Sequence, residues 1–434
     1  MENIRPFQVG LLIIFALIGI VSLFVLASFK GFSSNEVKMY GNKVEIWGTL
    51  DQSAFNQVFQ EIGRTDKEFY VVNYSQKDSR TFENELVNAI AENRGPDAVV
   101  MSHEDLVTFR PKLQPIPYST FPERTLKDNY IDGAEIFARP DGLYAIPFLV
   151  DPVIMYWNRD ILAASGLAVP PTTWEALTDV VSRVTLRDAT RNILQATVAF
   201  GEYRNVVRFK EVLLTLLMQS GSRLVEEGSD RYIVALDQST ATDGRRPLST
   251  TLQFYVEFSN ASSPLYSWNR TFQDDTTAFL GEKLAIYFTY GSEAERLRSQ
   301  NPNLNFDVAG IPQGAGATVK RVYGKFYGLA MIRGGTNSQG TYRALVKLSD
   351  PAIVTSLGDR LSLAPASRGL LAIPAGDPIR QTIFNQTLIS RGWLDPGPQK
   401  SSEILGQMVE DVVSNSSRTA GAASDASRRL ELAF

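Results

Sequence analysis

No stretch limits this chain more than Tyr144 to Trp174, Y-A-I-P-F-L-V-D-P-V-I-M-Y-W-N-R-D-I-L-A-A-S-G-L-A-V-P-P-T-T-W. An apolar strand with Pro147 inside it ends at Asp151, and a second apolar run, Val153 to Trp157, stops in Asn158-Arg159-Asp160. A short helix ended by Gly166 follows. Pro170-Pro171 then leads into a helix start at Thr172 with Glu175 three residues on, which is capping-box spacing. Two strands in immediate succession, each able to join a different sheet, describe a crossover between two lobes. Such a segment puts an acid and two aromatics where a cleft opens; an ordinary buried strand–helix connection is the alternative.

A length of 434 residues exceeds one core and fits two domains. With 43 basic against 47 acidic side chains, nothing suggests a nucleic-acid surface. One histidine and no cysteine argue against histidine catalysis and multi-histidine metal sites. They exclude disulfides, thiolate metal sites, cysteine nucleophiles and lipid attachment to an N-terminal cysteine.

Between Arg5 and Lys30 lie 24 residues without charge, dense in Leu, Ile, Val and Phe. That run is long enough to span roughly 30 Å of hydrocarbon. A cleavable signal has a shorter apolar region, and Ala27-Ser28-Phe29 is a poor cleavage match. The expectation is a short tail over 1–8, an uncleaved transmembrane helix over 9–29 and a tether over 30–42. Arg5 on one side and Lys30, Lys38 and Lys43 on the other leave the positive-inside rule without a preference.

Beyond the tether, Val44 to Trp47 reads as a strand and Asp51 as a helix cap. Ala54, Phe55, Val58, Phe59 and Ile62 share one helical face. A strand over Phe69 to Val72, a helix carrying Phe82, Leu86 and Ile90, and a strand over Ala98 to Met101 follow. Strand–helix alternation of this kind is the mark of a parallel sheet covered by helices. Ligands bind beyond the carboxyl ends of such strands, which here present Trp47, His103 and Glu104. Trp174 to about Leu217 reads as helical with polar breaks, Phe200 to Tyr203 as a short strand, and Tyr232 to Leu236 as turn-like. Leu284 to Phe288 and Phe306 to Ile311 read as strands, and Phe326 to Met331 as a strand returning to the first lobe. Ile404, Leu405, Met408, Val409 and Val412 mark an amphipathic helix near the end.

Five separated segments together resemble a known family. They are Gly95-Pro96-Asp97-Ala98-Val99, Tyr144-Ala145-Ile146-Pro147, Met155-Tyr156-Trp157-Asn158-Arg159-Asp160, Gly166-Leu167 with Pro170-Pro171-Thr172-Thr173-Trp174-Glu175, and Phe279-Leu280-Gly281-Glu282-Lys283-Leu284-Ala285-Ile286 with Gly291 after it. Their order and spacing are similar to the extracellular solute-binding proteins of ABC importers, in the sugar-binding, maltose-binding-protein-like branch. The resemblance covers about residues 43 to 434.

It implies an α/β fold of two lobes, a periplasmic-binding-protein fold with the ligand cleft between them. Lobe 1 would span 43–150 with a return at about 324–362, and lobe 2 would span 151–323 with C-terminal helices at about 363–434. It further implies a carbohydrate ligand, ABC permease subunits as partners, a bilayer anchor through 9–29, an extracytoplasmic soluble part, a monomer, and no cofactor, metal or nucleic acid. Sugars are held by aromatic faces and carboxylate acceptors. By position the resemblance nominates Trp47, His103, Glu104, Asp151, Trp157 and Tyr290 for ligand binding, with Tyr287 and Phe288 as neighbours. The tryptophan that closes the maltose site has no clear counterpart: Ile404 falls near it, and Trp393 is the other candidate. Few charges in the relevant loops argue against a highly charged ligand.

Three further readings stand beside this one. A tethered receptor could report ligand occupancy to a membrane partner without transport. A glycan-acting enzyme would need Asp151 and Glu104 facing each other at roughly 5–9.5 Å. An iron-binding relative would need a tyrosine cluster such as Tyr156, Tyr287 and Tyr290.

Overall fold

The computed structural model describes residues 39–41, 43–228, 231–238, 244, 246–335 and 337–434. The expected anchor over 9–29 lies outside these residues, and among the described ones no helix is long and apolar enough to cross a membrane.

The first elements are β1 (Val44–Gly48), α1 (Gln52–Thr65), β2 (Val72–Gln76), α2 (Phe82–Ala91) and β3 (Ala98–Ser102). Helix α1 begins where expected: the Asp51 side chain accepts from the Ala54 N–H, and Ala54, Phe55, Val58, Phe59 and Ile62 are buried. Strands β2 and β3 flank β1 in parallel. The expected strand over Phe69 to Val72 is displaced: Lys67–Val71 forms a 3-10 turn that buries Phe69, and pairing starts only at Val72.

The crossover is a single strand, β4 (Ile146–Asn158), with all thirteen residues buried. Its first half pairs antiparallel with β8 (Val322–Ile332), through Ile146 to Pro152. Its second half, Val153 to Asn158, pairs with β6 (Leu284–Tyr290) and β7 (Phe306–Ala309). Pro147 and Pro152, which cannot donate to a ladder, lie opposite Gly328 and Gly324 of β8. Pro147 is at a register shift, and Pro152 is where the strand exchanges one neighbour for another. A Cβ at Gly324 would stand 2.7 Å from the Ser390 Cβ, so the crossing requires a glycine there.

After β4 come α3 (Trp174–Val184), β5 (Ile193–Val198), α4 (Phe209–Gln219), β6, β7, β8, α5 (Ser338–Leu348), β9 (Ser390–Arg391), α6 (Pro398–Val413) and α7 (Thr419–Glu431). The cap of α3 is Thr173, accepting from Ala176 N–H, one residue later than expected; Glu175 instead accepts from the Ala315 N–H. The run expected to be helical as far as Leu217 contains β5, which pairs in parallel with β6. Phe200 to Tyr203, expected as a strand, is the connection beyond its end. The apolar run of β5 is short, and alternation over so few residues does not separate strand from helix. Within the 12-stranded sheet the main strands run β2-β1-β3-β8-β4-β6-β5, so one continuous ladder links two α/β halves.

Candidate ligand-binding cleft

Strands β1 and β3 end at Gly48 and Ser102, while β5 and β6 end at Val198 and Tyr290. The two sets of carboxyl ends converge on the middle of β4, at Asp151. Ser292, just past β6, donates its backbone N–H to Asp151 at 3.1 Å and its hydroxyl at 2.5 Å. Burial pushes the Asp151 carboxyl up to about 7, with those two bonds pulling the other way.

Glu104 is buried next to this group. It accepts from the Tyr323 hydroxyl at 2.6 Å and stands 2.7 Å from Lys325 and 3.6 Å from Lys210. Burial alone would raise its carboxyl, but Lys325 and Lys210 overcome that and hold it well below the usual range. Lys210 also bridges to Asp395 at 3.0 Å. Tyr290 is 5% exposed; its hydroxyl donates to Glu211 at 3.3 Å, and Arg208 lies 4.7 Å from its ring centroid. Lys325 keeps 28% of its side-chain surface exposed, yet burial is the largest influence on its ammonium, ahead of Glu104.

The other nominated residues fall in different places. Trp47 is half-buried in β1, with Lys77 Nζ 3.7 Å from its ring centroid. His103 is fully buried and its Nδ1 accepts from the Phe326 N–H at 3.1 Å. Burial lowers its imidazole to about 4, so it is neutral and serves as an internal acceptor. Trp157 is 7% exposed, with Arg159 beside its ring. Six residues along β4 from Asp151, it stands about 20 Å away at about 3.3 Å per residue. Tyr287 is three residues from Tyr290 on β6 and therefore on the opposite face. Its hydroxyl shares a hydrogen bond with Thr276 at 2.8 Å, and its ring lies 6.2 Å from that of Tyr156. Phe288 packs on Trp174 and Phe200. Trp157, Tyr287 and Phe288 are therefore not brought to the group around Asp151. Ile404 is buried on α6, and Trp393 is 3% exposed with its indole N–H directed at Asp395.

Six polar residues of this group escaped the sequence reading: Arg208, Lys210, Glu211, Tyr323, Lys325 and Tyr327. The expectation of a lightly charged neighbourhood came from the loops, whereas the charge arrives on α4 and β8. A signal existed. In Val322-Tyr323-Gly324-Lys325-Phe326-Tyr327, the polar side chains recur at every second position, as one face of a strand does. Lys210-Glu211 opens a helix that buries every residue from Phe209 to Met218.

Among the described residues no cluster of acidic or histidine side chains could hold a metal ion. A family model for bacterial extracellular solute-binding proteins matches residues 54–344, more than half of the chain. No curated protein matches the sequence. Several solved structures share the fold. The cyclic α-maltosyl-1,6-maltose binding protein of Arthrobacter globiformis superposes with a TM-score of 0.73 at 14% identity, over 90% of this chain and 98% of that one. The sugar-binding protein of Xanthomonas citri gives 0.71 at 16% identity, over 90% and 97%. A receptor of Streptomyces glaucescens, solved unliganded and with acarbose, gives 0.67 at 16% identity, over 89% and 98%. At such identities the likeness is one of fold.

Proposed function

We propose that this chain, which belongs to the bacterial extracellular solute-binding proteins, captures a mono- or oligosaccharide between its two lobes and delivers it to the permease subunits of an ABC importer. The observation that carries the reading is the convergence of strand ends from both halves of the sheet on Asp151. There a buried carboxyl, the Tyr290 ring and the Lys325–Glu104 pair form a polar floor. Half-buried Trp47, at the carboxyl end of β1, is the aromatic residue we assign to the same cleft. Carboxyl and amine groups take sugar hydroxyls, and the ring takes the C–H face of a pyranose.

Residues 43–150 with 324–362 are read as one lobe and 151–323 with 363–434 as the other, a division supported by the change of neighbours along β4. Residues 9–29 anchor the chain in the bilayer, with everything after the tether on the extracytoplasmic side. Binding without turnover is supported by His103, whose Nδ1 is committed to Phe326 and cannot act as a base. The similarly folded cyclic α-maltosyl-1,6-maltose binding protein and the receptor solved with acarbose support a carbohydrate over other solutes.

The test is a thermal-shift screen of the full-length chain in detergent micelles. It would run mono- and oligosaccharides beside amino acids, polyamines and ferric iron. A ligand that binds only the native state raises the midpoint by mass action. A saccharide hit lost in Asp151→Asn supports the reading. A hit confined to the contrast compounds overturns it.

A further inference from the structure

A second pocket, of 350 Å³, opens where Asp132–Ile136 meets Leu224, Arg321 and the segment from Arg391 to Trp393. It belongs neither to the group around Asp151 nor to the face of Trp47. Its charge is unbalanced. Asp132 is the carboxylate shared by Arg391, at 2.7 Å, and by Arg368. Arg321 has no carboxylate partner among the described residues: its Nη1 reaches only the Met218 carbonyl, at 3.5 Å, and its Nε is buried without a partner. Three guanidinium groups against one carboxylate leave two positive charges in excess. The remaining arginines of the pocket are already matched, Arg139 by Glu227 at 3.2 Å and Arg223 by Glu226 at 3.0 Å.

This excess is local, because the chain as a whole carries a net charge of −4. It is also built in rather than left to mobile side chains. Val322 and Tyr323 pair in parallel with Ser390 and Arg391, so Arg321, two residues before Tyr323, comes onto the face that carries Arg391. The Arg321 carbonyl accepts from Gln219 at 2.9 Å and its N–H donates to Gln313 at 3.2 Å, which fixes the backbone beneath the guanidinium. Burial and the charge of Arg321 hold Arg391 below the ordinary arginine range despite Asp132. Both guanidinium groups are half-buried, and the Arg321 Nε is shut off from solvent without a partner, so a bound anion would supply the acceptor and counter-charge that the pocket lacks.

We propose that this pocket binds an oxyanion (sulfate, phosphate or carboxylate, free or carried on a sugar) between the guanidinium groups of Arg321 and Arg391. Planar, multiply donating guanidinium groups match the oxygens of such anions. Trp393 and Leu224, which line the same pocket, give an apolar wall against which a ring bearing the anion rests. The site is separate from the proposed carbohydrate cleft and does not depend on what that cleft binds.

The experiment is equilibrium titration of the full-length chain in detergent micelles with sodium sulfate, glucose 6-phosphate and glucuronate, at ionic strength held constant with sodium chloride. Saturable binding of at least one of them is expected, weakened tenfold or more by Arg321→Gln and by Arg391→Gln. Asp132→Asn, which removes the competing carboxylate, is expected to tighten binding several-fold, a gain that a misfolded variant cannot produce. Sulfate binding as tightly as glucose 6-phosphate identifies a free oxyanion as the ligand. A tenfold or larger advantage of the sugar-borne anions identifies the anion as part of a larger ligand. No saturable binding of any of the three, or equal affinity in the Arg321→Gln protein, overturns the site.

Discussion

Ser292 clamps Asp151: its N–H and hydroxyl reach the carboxyl at 3.1 and 2.5 Å and tie the end of β6 to the middle of the strand that crosses the molecule. By the proposed division both residues belong to the 151–323 lobe, so the bond fixes the carboxyl at the crossing point to the turn that follows β6.

The first prediction concerns pH. Burial raises Asp151 from an ordinary value of 3.8 to about 7. Between those values the folded chain holds a proton that the unfolded chain has released. The stability from this group is therefore complete below about pH 4 and is lost as pH rises through 7. Asp105 and Asp275 behave alike, with burial raising both to about 7, but they cancel when a variant is compared with the parent. Asp151→Asn should gain on the parent in melting temperature as pH goes from 4 to 8. The gain is of the order of a few kcal/mol, at about 1.4 kcal/mol per unit. Parallel melting curves across that range would refute the assignment. In the parent, saccharide affinity should rise from pH 6 to 8, because an ionised acceptor makes the stronger hydrogen bond.

The second prediction separates two tryptophans. Trp47 is half-buried and is the aromatic residue proposed for the cleft, so Trp47→Ala should leave the melting temperature nearly unchanged and weaken saccharide binding about tenfold, or ~1.4 kcal/mol. Trp157 is 7% exposed and distant from Asp151. Trp157→Ala should cost about 3–5 kcal/mol of stability and leave the affinity of the folded protein intact. Calorimetric titration together with thermal unfolding distinguishes the two patterns. Equal loss of affinity in both variants would return Trp157 to the site.

How much of this was legible in the sequence differs from residue to residue. The crossover was visible because Pro147 and Pro152 break an apolar run where Asp151 interrupts it, and β4 indeed changes neighbours there. Helix α1 was legible from its cap and spacing. Strand β5 was not, because its few alternating residues look the same in a short helix. Trp157 and Tyr287 were nominated for residue type and position in a motif. Neither property says which face of a strand a side chain occupies until the register is known, and a step of one residue reverses it. Arg208, Lys210 and Lys325 were hidden for a different reason. Their partners Tyr290, Asp395 and Glu104 come from distant parts of the chain, so neither the alternation around Lys325 nor the local Arg208–Glu211 pair says what these side chains meet.

The third prediction concerns Lys210, which lies 3.0 Å from Asp395 and 3.6 Å from Glu104 with 7% of its side chain exposed. Lys210→Met fills the same space but leaves two buried carboxylates without that counter-charge. The loss should be about 3–5 kcal/mol, the usual consequence of breaking a buried ion pair from one side. Denaturant unfolding at pH 7 measures it. A loss under about 1 kcal/mol would mean that Lys325 alone suffices for Glu104.

The last prediction concerns a contact between segments assigned to the two proposed lobes, away from the group around Asp151. Arg110 Nη1 donates to Glu227 at 2.5 Å and to the Tyr232 hydroxyl at 3.1 Å, and Arg139 Nε stands 3.2 Å from the same carboxylate. Both arginines precede the crossing strand, and Glu227 and Tyr232 lie beyond it, on the two strands of a hairpin at Val225–Glu227 and Tyr232–Val234. The Arg110–Glu227 pair keeps about a quarter of its surface, 26% and 23%, so its worth is near the ~1 kcal/mol of a partly screened pair rather than that of a buried one. Such a contact forms only when the lobes are together and is lost when they part. Glu227→Gln keeps the shape and removes the charge. It should shift the lobes toward the open form and shorten ligand residence about fivefold, with little change in association rate or melting temperature. Stopped-flow dissociation reads the residence time, and the scattering radius of the unliganded full-length chain in matched-out detergent reads the opening. An unchanged dissociation rate together with an unchanged radius would show that this contact does not govern opening and would leave that role to the Lys210–Glu104 pair.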